Sequence, residues 1–281
     1  MMRHAQKCLS FLAGNSKPGI LGLLLVLNVI FQAPVNAQSP DLRVDRLLGN
    51  SKFGQTREAM ARDFERIAAE AVRLSGASPD EQHSFYAAAL ADSGLTDITT
   101  DANGNVFAVR KGAGNGRVVA VSVHARHASA ILLSFLRTLN TLDFKTASDF
   151  LIIMAAEGQP ASSGIRELLS SPSYKDSVKS FVELEPINDD EILNSVPAAG
   201  DEPAVQTHVS LDVVQVATAV IKELGGQPTY RSGISEVRLP MSMGIPAIAI
   251  GAGARADLEQ NAVGHTAAVV SSVLLSLAGI P

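Results

Sequence analysis

Three short stretches carry side chains capable of hydrolytic chemistry, and each follows a run of apolar residues. They are His124-Ala125-Arg126-His127 after Val118–Val123, Ala156-Glu157-Gly158 after Phe150–Ala155, and Glu185-Pro186 after Phe181–Leu184. Imidazole and carboxylate are donor types that hold zinc, and catalytic zinc sites pair a three-ligand set with a water. His124 and Glu185, completed by Glu157 or His127, make such a set, although Arg126 beside them repels a cation. The same residues allow a second arrangement, in which Arg126 pairs with Glu157 or Glu185 and the pocket is held by salt bridges. The single cysteine, Cys8, lies near the N-terminus, so no thiol is left downstream for a disulfide, a nucleophile or a thiolate metal site.

The elements that must position these residues follow from hydropathy. Strands Val118–Val123, Phe150–Ala155, Phe181–Leu184 and Ile245–Ile250 are apolar on both faces and alternate with helices Ser129–Leu139, Ser163–Leu169, Leu211–Leu224 and His265–Ala278. Such alternation predicts a mostly parallel sheet covered on both sides, a three-layer αβα member of the α/β class. Upstream, a helix is predicted over Thr56–Leu74, and Ser78-Pro79-Asp80-Glu81 is a capping box that opens a second helix reaching about Ser93. Leu95–Thr100 and Val106–Val109 flank Asp101-Ala102-Asn103-Gly104-Asn105, whose Asn-Gly predicts a hairpin turn. Asn194–Val205, rich in Pro, Ala, Gly and acids, reads as a loop.

At the N-terminus, Arg3, His4, Lys7 and Lys17 precede an apolar run from Ile20 to Phe31, short for a membrane span, and Val35-Asn36-Ala37 is a small-residue cleavage site. The expectation is a signal peptide over 1–37, a flexible segment over 38–50 and one domain over 51–281, with a periplasmic or secreted product that keeps no membrane contact. The first 37 of 281 residues hold three of the 23 Lys+Arg and none of the 28 Asp+Glu, which leaves 244 residues at a formal charge of −8. With no Trp and no basic cluster, the chain lacks the footprint of a nucleic-acid binder.

The order of these motifs resembles the two-zinc exopeptidases, the superfamily of tripeptide aminopeptidase, glutamate carboxypeptidase and acetylornithine deacetylase. The residues that carry the resemblance are Leu90–Asp97, Asp101 with Gly104-Asn105-Val106, Val118–His124, Ile152–Gly158 with Gly164, Phe181–Pro186, Ser232–Glu236 and Gly244–Gly251. The resemblance implies a metal role for His124, Glu157 and Glu185, and it exposes departures. Arg126 stands where the family has an Asp, and His127 runs almost directly into a helix where the family has the loop bearing its bridging Asp. Ala156 occupies the position of the general-base Glu, and no His follows the Gly-Ile-Pro strand near Ala256–Asn261, His265 reading as the start of the last helix. The family's lid domain has no room before Leu211, so its usual dimer is not expected and a monomer is.

Other motifs resolve to turns. Gly251–Ala256 follows a strand too close to the C-terminus for a dinucleotide fold, and Gly112–Gly116 precedes a strand where a phosphate loop would follow one. Gly233–Val237 lacks the closing glycine of a nucleophile elbow and has no strand signal ahead of it, while His83 and His208 read as surface residues. The expectation is an exported, zinc-metallopeptidase-like hydrolase of small peptides or N-acyl amino acids, its catalysis impaired or lost. Zinc is its expected cofactor, with a metal-free ligand- or protein-binding relative as the alternative.

Overall fold

Val118–Val123 has no charged side chain, and such a run is stable only where both of its faces are covered. In the computed structural model it is a fully buried strand near the middle of a sheet. The structure describes residues 40–114, 116–123, 126–155, 162–187, 190–195, 211–232, 235–252 and 260–281. Helices α1 (Pro40–Leu48), α2 (Ser51–Arg62), α3 (Phe64–Ser75) and α4 (Pro79–Asp92) precede strands β1 (Thr96–Thr100), β2 (Val106–Arg110) and β3 (Val118–Val123). Then come α5 (Arg126–Thr141), β4 (Asp149–Met154), α6 (Ser162–Ser170), β5 (Val178–Glu185) and β6 (Glu191–Ser195). The chain closes with α7 (Leu211–Glu223), β7 (Thr229–Ser232), α8 (Arg238–Ser242), β8 (Ala247–Gly251) and α9 (Gln260–Ala278).

Among the described residues the strands form one sheet in the order β1-β2-β4-β3-β5-β8-β6-β7. The inner strands β4, β3, β5 and β8 are parallel, and the hairpin β1-β2 joins β4 antiparallel. On the far side β6 is antiparallel to β8 and parallel to β7. Alternation along β3 sends Val119, Val121 and Val123 into the apolar layer under α5 and α9, and Val118 and Ala120 into the layer under α6 and α8. The architecture is the three-layer αβα sandwich expected from the pattern of apolar strands.

Four local expectations are corrected. Residues 40–48, expected to be part of a flexible segment, form α1, because Val44 and Leu47 are buried against α7 and α9. The single helix expected over Thr56–Leu74 is two, broken at Asp63. There the carboxylate accepts hydrogen bonds from Ser134 Oγ (2.7 Å) and Arg137 Nη2 (3.1 Å) of α5. Asn194 and Ser195, expected to open the loop Asn194–Val205, end strand β6, the rest of that stretch lying outside the described residues, and β7 leads toward Gly233, where no strand was expected. The capping box is formed: Ser78 N donates to Glu81 Oε2 at 2.7 Å, and Glu81 N donates to Ser78 Oγ. The hairpin turn also forms, with Gly104 at φ +82° and Asp101 Oδ1 accepting from the backbone of Asn103 and Asn105.

Candidate functional site

Parallel strands share a direction, so β4, β3, β5 and β8 deliver their following residues to one edge of the sheet, where ligands of α/β folds bind. At that edge Val123, the last residue of β3, lies between Met154 of β4 and Leu184 of β5, and Glu185 pairs with Gly251 of β8. Three adjacent strands therefore lead to the three stretches singled out in the sequence. Glu185 is a half-buried residue whose backbone carbonyl accepts from Ala252 N at 2.8 Å. His124, Ala156 and Glu157 lie outside the described residues, as do the side chains of Arg126 and His127 and all of His208. β3 ends at Val123 and α5 starts at Arg126, so only His124 and Ala125 separate them. Among the described residues no group of three or more His, Cys, Asp or Glu could hold a metal ion.

Beneath the edge is a buried polar contact. Glu183 of β5, beside Ser122 of β3 and 1% exposed, accepts at Oε2 from the Ser235 hydroxyl and, at 3.1 Å, from Val237 N. Because Glu183 faces the apolar layer under α6 and α8, this contact ties the segment before α8 to the central sheet.

A second pair at the edge escaped sequence reading. β6 runs antiparallel to β8 with Ile192 opposite Ile250, so the chain reaches β6 on the side where β8 leaves, and Asp190 lies there. Asp190 Oδ1 is 2.9 Å from His265 Nε2 of α9, and Oδ2 accepts from Gln227 N at 3.1 Å. The pair joins positions 75 residues apart, with nothing in either neighbourhood to mark it. His83, read as a surface residue, is half-buried on α4. Its ring packs on Gly104, where a Cβ would come within 1.8 Å of Cε1, and its Nε2 is buried without a hydrogen bond.

No protein-family model and no curated protein matches the sequence. Solved structures match in shape. The LapA aminopeptidase of Legionella pneumophila is 12% identical with a TM-score of 0.53, over 79% of this chain and 69% of that one. The glutaminyl cyclase of Porphyromonas gingivalis is 12% identical with a TM-score of 0.51, over 78% and 97%. A Zn-dependent exopeptidase from Parabacteroides distasonis is 10% identical with a TM-score of 0.51, again over 78% and 97%. The fold is zinc-exopeptidase-like. At such identities the likeness speaks for this exopeptidase-like scaffold alone, and function has to be argued from the site.

Proposed function

We propose that this chain is an exported hydrolase of small peptides or N-acyl amino acids, monomeric, with catalysis weaker than a two-zinc site would give. The observation that carries the reading is the common edge of β4, β3 and β5, whose exits lead to Glu157, His124 and Glu185. His124, Glu157 and Glu185 are a nitrogen and oxygen donor set suited to one zinc ion. A pair of ions about 3.5–4 Å apart would need a shared carboxylate. The two residues between β3 and α5, His124 and Ala125, include none. When bound, a single zinc would polarise the scissile carbonyl and acidify a water. Arg126 would hold a substrate carboxylate, a role that suits the planar fork of a guanidinium.

A second reading, a peptide-binding relative without catalysis, is favoured by alanine at position 156, which leaves no side chain there to take a proton. One experiment separates the two. Zinc per chain is measured after dialysis against metal-free buffer, and the same sample is assayed on amino-acid anilides, dipeptides and N-acyl amino acids with and without chelator. Near-stoichiometric zinc and chelator-sensitive hydrolysis support the hydrolase. Binding of these compounds without turnover supports the relative that has lost catalysis.

A further inference from the structure

We propose that His265, oriented by Asp190, is the proton-transfer group of this edge. The inference rests on the hydrolase reading and extends it to residues outside the zinc set.

Asp190 precedes by two the residue that pairs with Ile250, and β8 lies between β6 and β5. The pair is therefore about two strand spacings, roughly 10 Å, from Glu185 along the same edge. Its geometry is that of an oriented base. One carboxylate oxygen is fixed by Gln227 N, and the backbone carbonyl of Asp190 accepts from Thr229 N at 2.9 Å, so the turn and the start of β7 both hold the residue. The other oxygen faces His265 Nε2. A carboxylate at that distance places the imidazole proton on Nε2 and leaves the lone pair on Nδ1.

Nδ1 makes no hydrogen bond among the described residues, and the side chain is 30% exposed. His83 has the opposite character, its free nitrogen being buried. Close approach also shapes the pair: a Cβ on Gly226 would fall 2.6 Å from Asp190 Oδ1.

In amide hydrolysis Nδ1 takes a proton from water as the water oxygen bonds to the carbonyl carbon. The carbon–nitrogen bond then breaks, and the same proton passes from Nδ1 to the leaving nitrogen, so that one water is added across the bond. Histidine is the side chain most often used for such transfer, which typically contributes about 10²–10⁴-fold in rate.

The test has two arms on the mature protein. Carbethoxylation by diethyl pyrocarbonate, mapped by peptide mass spectrometry, should modify His265 at least about tenfold faster than His83, since accessible imidazole nitrogen is what reacts. A folded protein in which His265 stays unmodified overturns the proposal.

In the second arm His265→Gln and Asp190→Asn are assayed on the same anilides and N-acyl amino acids. Each should lower kcat by about 10²-fold or more with KM nearly unchanged. Turnover untouched by His265→Gln overturns the proton-transfer role and leaves the hydrolase reading standing. No turnover by the wild type, with His265 reactive, overturns the hydrolase reading and this role together.

Discussion

A carboxylate inside an apolar layer is costly unless hydrogen-bond donors meet it, and among the described residues the Ser235 hydroxyl and Val237 N donate to Glu183. Glu183→Ala should take from the Ser235 hydroxyl its acceptor and leave Val237 N only the Ser235 oxygen, at a cost of about 1–3 kcal/mol, and Glu183→Gln should cost less because its amide oxygen still accepts. Urea unfolding of the two variants checks this, and a negligible loss for Glu183→Ala would mean that the carboxylate does not hold the segment. The sequence marks Ser232–Glu236 as a motif, yet Glu183 is 52 residues from Ser235 in the chain, and nothing local announces that they meet. Asp190 and His265 were hidden in the same way. Residues brought together by sheet order are legible only once the order is known, whereas Glu185 could be placed from the end of its own strand.

Elements were legible where local chemistry decides them. The parallel strands announce themselves by apolar residues on both faces, and α4 by its capping box. β6 and β7, at the margin of the sheet, are short and mostly polar, without the alternation or the apolar run that marks a strand in the sequence. The break between α2 and α3 has no Gly or Pro, and its cause is tertiary: Arg137 bridges Asp63 at 3.1 Å and Glu70 at 3.1 Å, with its own side chain 12% exposed. Hydrogen bonds to charged partners contribute about 1.5–3 kcal/mol, so Arg137→Ala should lower stability by an amount of that order, read from chemical denaturation. A negligible loss would mean that the break is held by backbone geometry alone.

The cap of α4 carries a pH dependence. The Ser78 backbone N–H, and after it the Ser78 hydroxyl, hold the Glu81 carboxyl below the ordinary glutamate range. A depressed folded pKa means that the contribution is complete above the unfolded value and is lost as pH falls through the folded one. The Tm gap between wild type and Glu81→Ala should therefore be widest near neutrality and narrow below about pH 4. Ser78→Ala should cost about 1 kcal/mol at neutral pH, a typical loss for an N-cap serine. A gap that does not change with pH would rule out the charged capping interaction.

At the scale of the whole molecule, the first described helix raises the question of how much of the chain folds as one body. Its polar composition suggested a loose segment before the domain, but Leu47 is 2% exposed and Val44 fully buried, in the same apolar layer as Val216's neighbours Val213 and Ala217 and as Val270 of α9. α1 thus closes the side of the sandwich formed by α7 and α9, the helix that carries His265. Leu→Ala at a buried site costs about 2–5 kcal/mol, made up of lost transfer energy and the cavity left behind. If α1 folds with the rest, Leu47→Ala should lower the midpoint of one cooperative transition, with tertiary and secondary structure lost together. If α1 were merely laid on a finished domain, the main midpoint would stay in place and only a small early change, confined to the N-terminal helix, would appear. Hydrogen exchange resolved by peptide distinguishes these outcomes, since in the first case residues 40–48 open with the sheet and in the second they exchange long before it.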